Sequence, residues 1–375
     1  MSQCRNVAIS DSPPTPAPPG PAYWDAADGA WIVSLHADAF RVLREPGTIV
    51  VDGGREVGKF ARRGHGFPNL AAAFGGMPIF QNPPQHGQSR AWLRQVIGRL
   101  SSQWTREALT RLADRRLDGL EVECVHDLRV EFADALPNAV IAEGLGLQPS
   151  DVRSLREEGS VIMEAWRPAV ALRDYRRLEA AALRVFQRLA EARAPGQADE
   201  TIETDAIRFF LVMASVETTS AFIGNAVHLL AHDASLQSRL RHEPELMSDF
   251  IEEALRWCGP LKALSPRLAP RDLELEGAHV PAGSPIMIRG DRAHRDPAVF
   301  PDPDRFLLER PQRQIIAFGS GPHICPGATL ARLESSVAIS RLLARFQLSP
   351  AEGARLRVSR AFRQWDSLPV RLDPL

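Results

Sequence analysis

FGSGPHICPG, residues 318–327, sets one cysteine among three glycines and two prolines. The chain has only four cysteines in 375 residues: Cys4, Cys124, Cys258 and Cys325. Pro326, directly after the thiol, suits the first position of a helix, where a fixed φ and a missing N–H cost little. A cysteine at a helix N-terminus feels the positive end of the backbone dipole, which favours thiolate. Gly319, Gly321 and Gly327 let the backbone turn close to a bulky group. Downstream, Leu330, Leu333 and Val337 fall on one side of the helix, with Ile339, Leu342, Leu343 and Phe346 roughly opposite. Such a helix is packed on both faces. Thiolate character and close backbone approach together point to a soft-metal centre or a nucleophile.

The rest of the chain narrows the choice. Hydrophobic residues make up 44% and charged residues 24%, as in a soluble globular protein. A formal charge of −1 gives no global attraction to nucleic acid or an anionic membrane. No C-x-x-C pair is present, which leaves a zinc ribbon, a thioredoxin-like centre and c-type haem attachment unsupported. Scattered cysteines with no signal peptide lead us to expect a cytoplasmic protein, and no apolar run is read as membrane-spanning.

Residues 1–22 read as a disordered, proline-rich arm and 23–375 as one domain. WIVSL (31–35) is expected to be a strand and DAFRVLRE (38–45) a helix. From about residue 86 to 258 the pattern is mostly helical, broken by a polar loop at 195–204 that ends in Thr204, a candidate N-cap. Residues 268–290 alternate like a small sheet, a helix runs from Cys325 to about Phe346, and SLPVRL closes the chain as a strand. The fold class is therefore mainly α with a small β portion.

Three further groupings stand out. Glu253 and Arg256 form E-x-x-R on one helix face. Within an apolar helix placed at 205–232, Glu217 is costly to bury without a reason, and an arginine partner would be the plain structural one. Its neighbour Thr218 can bond back to the Ala214 carbonyl and loosen a helical turn. His86 and Arg90, four apart, share a third helix face.

Taken with these, F-x-x-G-x-x-x-C-x-G, carried by Phe318, Gly321, Cys325 and Gly327, resembles the haem-binding loop of the cytochrome P-450 family. The resemblance spans roughly residues 23–375, with EFADALPNAVIAEGLG (131–146) and AHRDPAVFPDPDRF (293–306) similar to segments of soluble bacterial members. It implies a triangular helical body with minor sheets, and haem b between a long central helix and the cysteine-loop helix. Cys325 would be the axial ligand of the iron. His86, Arg90, Arg267 and His323 would hold the two propionates, which favour arginine forks and histidine donors. Phe318, Gly327 and Ala214 would lie beside the porphyrin. Glu217 and Thr218 match the acid–alcohol pair that relays protons for oxygen activation. Ser215 stands where the family often has glycine, adding bulk beside the oxygen groove and a hydroxyl that can donate. Glu253 and Arg256 match the pair that locks the core, with Arg305 as its third member.

The activity so implied is a haem-thiolate monooxygenase, of the oxidoreductase class, that inserts one atom of O2 into a hydrophobic small substrate. With no fused flavin or iron–sulfur domain in view, electrons would come from a ferredoxin and its reductase. Arg94, Arg99, Arg310, Arg313 and Arg332 would form a basic docking face. Phe74, Ile79, Phe80, Phe210, Met213, Leu261 to Leu264, Phe362 and Trp365 are candidate pocket residues, and Lys262 a possible partner for a substrate carboxylate. The helix usual between the 186–194 segment and the long helix is largely missing. Pro326 denies the sulfur one backbone N–H, which is expected to leave more charge on it and a more negative iron potential. A monomer is expected, with no membrane or nucleic acid partner. The alternatives are a peroxide-driven haem-thiolate enzyme, a non-catalytic haem-binding protein and, more remotely, a cysteine hydrolase.

Overall fold

The apolar stretch after Thr201 folds into one unbroken helix, Ile202–Ala231, about 45 Å long at ~1.5 Å per residue. The computed structural model describes residues 16–45, 47, 49–58, 66–166, 170–193, 201–311 and 314–375. The cap of the long helix is Thr201, whose side chain accepts from the Thr204 N–H, rather than Thr204 itself. By length and composition this helix could cross a membrane, contrary to the sequence expectation, but 67% of its most apolar window is buried inside the protein. It is the axle of the fold. Helices Pro68–Gly75, Ala135–Leu145, Pro149–Ile162, Leu172–Glu191, Met247–Cys258 and Ala328–Leu343 all pack on it. Its all-round apolar surface is what lets so many neighbours bury against it.

The cysteine-side helix Ala328–Leu343 also buries both faces, with Val337, Ile339, Leu342 and Leu343 all shielded. Helices Gln85–Gln103 and Arg106–Leu117 complete the body on this side, the second capped by the Thr105 side chain. Within the stretch expected to be helical, Cys124–Asp127 is a strand, followed by a π-helical turn at Arg129–Ala133.

The β portion is small and split. One sheet runs Tyr23–Asp25, Ala30–Val33, Pro285–Ile288, Arg267–Leu268, Ile49–Val50. Within it Trp31 pairs with Ile286 in parallel, across most of the chain. Leu273–Leu275 and Ala278–Val280 form a hairpin turned at Gly277, where φ is +74°. The closing strand Pro369–Asp373 lies between Cys124–Asp127 and Gln347–Pro350. Residues 1–15 of the expected arm lie outside the described residues. The end of that arm is docked rather than free: Ala22 is buried, and Gly20 N–H donates to Ser34 Oγ at 3.1 Å.

Candidate active site

The loop before Cys325 is shaped by two left-handed glycines, Gly319 (φ +72°) and Gly321 (φ +70°). At Gly321 a Cβ would lie 2.4 Å from the Leu43 carbonyl oxygen of helix His36–Arg44, so only glycine fits. The Cys325 N–H donates to the Phe318 carbonyl at 2.8 Å, closing the loop. The helix then starts at Ala328, so Pro326 sits in the turn ahead of it and not at its first position. Cys325 is exposed by its accessible surface yet surrounded by protein, and that desolvation pushes its thiol pKa up. That desolvation outweighs the Gly327 N–H bonded to the sulfur and the nearby charges of Arg90 and Arg332. The uncoordinated thiol is therefore not a stabilised thiolate, as the helix dipole alone led us to expect. The Gly327 N–H also supplies a donor to sulfur that the reading of Pro326 left out.

Next to the thiol lies a group of basic side chains. The rings of His86 and His323 stand 4.0 Å apart. Arg90 donates to the Ile324 carbonyl at 2.7 Å, and the buried Arg267 donates to the Ser265 carbonyl at 2.7 Å. Burial, then His86, Arg267 and Arg90, push the His323 pKa down to about 3. His86 is lowered by burial, then by Arg90 and Arg267, and burial takes Arg267 to about 10. The His86 Nε2 is buried with no hydrogen-bond partner among the described residues. Two neutral histidines and two crowded guanidiniums are relieved by a dianionic group, so this donor set fits haem propionates beside a soft sulfur ligand.

The long helix is buried at 205–209 and again at 219–231, but Phe210, Met213, Ala214, Ser215, Glu217 and Thr218 are half-exposed. The Thr218 hydroxyl donates to the Ala214 carbonyl at 2.7 Å, although the helix continues regularly and no turn is opened. Glu217 meets an arginine: Arg156 Nη2 lies 2.8 Å from its Oε1. Arg156 is also 3.7 Å from Asp134, which pairs with Arg129, whose Nε donates to the Trp365 carbonyl. Arg156 and Asp134 carried no signal in the sequence, because they reach Glu217 only through tertiary packing.

Several expectations are corrected. The third member of the E-x-x-R lock is Arg310, whose Nε lies 3.0 Å from Glu253 Oε2. The Arg305 side chain is 44% exposed and faces Asp302; only its backbone carbonyl joins the cluster. Arg310 is accordingly buried and cannot belong to a docking face. Arg94 and Arg99 are exposed; Arg332 pairs with Glu252 and stacks on Phe318 at 4.4 Å; Arg313 lies outside the described residues. Phe74 and Trp365 are core rather than pocket, Phe74 against Phe80 and Trp365 against His228 at 4.3 Å. Lys262 Nζ donates to the Ser359 carbonyl at 2.9 Å, so a backbone oxygen holds it. Ile79, Phe210, Met213, Leu261 and Phe362 remain half-buried. Residues 194–200, where a helix was expected to be missing, lie outside the described residues.

Comparison with known proteins agrees with this geometry. A family model for cytochrome P-450 matches residues 189–362. A putative cytochrome P-450 140 of Mycobacterium tuberculosis is 33% identical over 319 residues, covering 78% of this chain and 72% of the relative. The vitamin D(3) 25-hydroxylase of Pseudonocardia autotrophica is 32% identical, covering 80% and 78%. Among solved structures, P-450 BioI in complex with hexadec-9Z-enoic acid-ligated acyl carrier protein superposes with a TM-score of 0.82. It is 25% identical, covering 94% of this chain and 95% of that one. Members of this family bind haem b. The chain belongs to the cytochrome P-450 family and is a haem-dependent monooxygenase of the oxidoreductase class.

Proposed function

We propose that this enzyme inserts one atom of dioxygen into an apolar small organic substrate, drawing its electrons from a separate ferredoxin-type donor. The observation that carries this reading is the Glu217–Thr218 pair on the half-exposed stretch of the long helix, against which the cysteine-side helix packs. In this assignment Cys325 would hold the iron through its sulfur, and His86, Arg90, Arg267 and His323 would hold the propionates. Phe318, Gly327 and Ala214 would lie beside the porphyrin. When bound, haem supplies the oxidising power and accepts the electrons.

The protein's own groups manage protons and exclude water. Arg156 pairs with Glu217 and fixes its carboxyl group in a partly buried position on the half-exposed stretch, where a proton-relaying acid is called for. The Thr218 hydroxyl gives its hydrogen to Ala214, so its lone pairs remain to accept from a water. Phe210, Met213, Ile79, Leu261 and Phe362 offer an apolar wall. That wall agrees with the vitamin D(3) named for one relative and with the fatty-acid-bearing carrier protein in the complex of another. Exposed Arg94 and Arg99 offer positive charge to an acidic donor.

The test is reconstitution of the holoenzyme with a surrogate ferredoxin, its reductase and NADPH. Steroids, fatty acids and aromatic acids are first screened by substrate-induced spin-state shifts. Oxygenated product that requires donor and O2 is expected. Turnover with peroxide alone, and none with the donor system, would overturn it.

A further inference from the structure

Two hydroxyls, Ser215 and Thr218, lie three residues apart on one side of the long helix. A hydroxyl has one hydrogen to donate, and Thr218 gives its own to the Ala214 carbonyl at 2.7 Å. Ser215 is placed differently. Helical serines commonly bond back to the carbonyl one turn earlier, as Ser102, Ser160 and Ser335 do here. Ser215 Oγ makes no such bond and no other hydrogen bond among the described residues. Its neighbours on the same face, Leu211, Thr219 and Phe222, are buried, whereas Ser215 is half-exposed. The opening is thus confined to the stretch that carries Ala214, Glu217 and Thr218.

We propose that Ser215 is the hydroxyl that would donate a hydrogen bond to a diatomic ligand of the haem iron that Cys325 would hold, with Thr218 serving only as an acceptor. This rests on the haem-thiolate reading and assigns within it a division of labour between the two side chains. Among the half-exposed Met213, Ala214, Ser215, Glu217 and Thr218, Ser215 supplies an O–H with no hydrogen bond to the described residues, whereas the neighbouring Thr219 and Ser220 hydroxyls are buried. The residue that departs from the usual glycine therefore adds a donor instead of merely blocking the groove.

The experiment is infrared spectroscopy of the reduced, carbon monoxide-bound holoenzyme in H2O and D2O, for the unsubstituted protein, Ser215→Ala, Ser215→Thr and Thr218→Val. A donor to the CO oxygen lowers the stretching frequency and makes it isotope-sensitive. Ser215→Ala is expected to raise the frequency and abolish the H2O/D2O shift. Ser215→Thr keeps the shift, and Thr218→Val leaves both values near those of the unsubstituted protein. Alanine favours the helix more than serine does, so the variant keeps the fold. An unchanged frequency in Ser215→Ala, or an isotope shift lost in Thr218→Val instead, overturns the assignment. The visible Soret band of the same samples reports thiolate ligation separately. Its absence in the unsubstituted protein would overturn the haem-thiolate reading, and its presence with an unresponsive Ser215→Ala would sink the Ser215 role alone.

Discussion

Replacing Glu253 by glutamine tests the buried charge cluster between helix Met247–Cys258 and the 301–310 loop. Glu253 accepts from Arg256 at 2.7 and 2.8 Å, from Arg310 at 3.0 Å and from the Leu307 N–H at 2.9 Å. Side-chain exposure of the three charged groups is 3%, 0% and 2%. Glutamine keeps one acceptor oxygen and removes the only carboxylate in this set. The guanidiniums retain the carbonyls of His294, Pro303 and Arg305, so many hydrogen bonds survive while charge compensation does not. Leaving buried cations unpaired costs about 3–5 kcal/mol. Arg305→Ala removes a side chain that sits 3.9 Å from Asp302 at the surface, and should change stability by less than about 0.5 kcal/mol. Urea unfolding of the holoenzyme, followed by tryptophan fluorescence and by haem absorbance, measures both. Burial raises the Glu253 pKa, but Arg256, Arg310 and the Leu307 N–H more than offset it, leaving a net depression. A depressed carboxylate stabilises above its unfolded pKa and loses that contribution as pH falls through its folded value. Glu253→Gln should therefore lie closest to the unsubstituted protein at the acid end. A loss below about 1 kcal/mol at neutral pH, or Arg305→Ala as damaging as Arg310→Gln, would refute the reasoning.

Three other outcomes are expected. Gly321→Ala should cost about 2 kcal/mol or more, from positive φ and from the Leu43 carbonyl 2.4 Å from the new Cβ, and should speed haem transfer to apomyoglobin. His294 is fully enclosed, accepts from the Ile316 N–H at 2.9 Å, and has its pKa pushed down to about 3 by burial, then by Arg256, His36 and Arg295. Below pH 6.5 the unfolded chain protonates this ring and the folded chain does not, so stability should fall by about 1.4 kcal/mol per pH unit from this group. His294→Gln, which can still accept from Ile316, should flatten the limb in pH-dependent urea midpoints. Lys262→Met should leave substrate affinity in spin-state titrations within about twofold, because the ammonium is held by Ser359; a larger loss for acidic ligands alone would refute that placement.

Local chemistry in the sequence was enough for the cysteine loop, the long buried helix, the acid beside the threonine and the mainly α class with its small sheets. These rest on short spacings, on glycine's access to positive φ, and on the cost of placing a carboxylate in an apolar helix. Partners of charged side chains were not legible. Arg305 and Arg310 stand five apart in one loop, and only the path of that loop over helix Met247–Cys258 decides which guanidinium reaches Glu253. Likewise Arg156 finds Glu217 across 61 residues because helix Pro149–Ile162 packs on the long helix. The thiol at position 325 shows the same division. Sequence placed it near a helix dipole, while the depth of its surroundings, a tertiary property, sets its proton affinity, since desolvation of a charge outweighs a partial charge nearby.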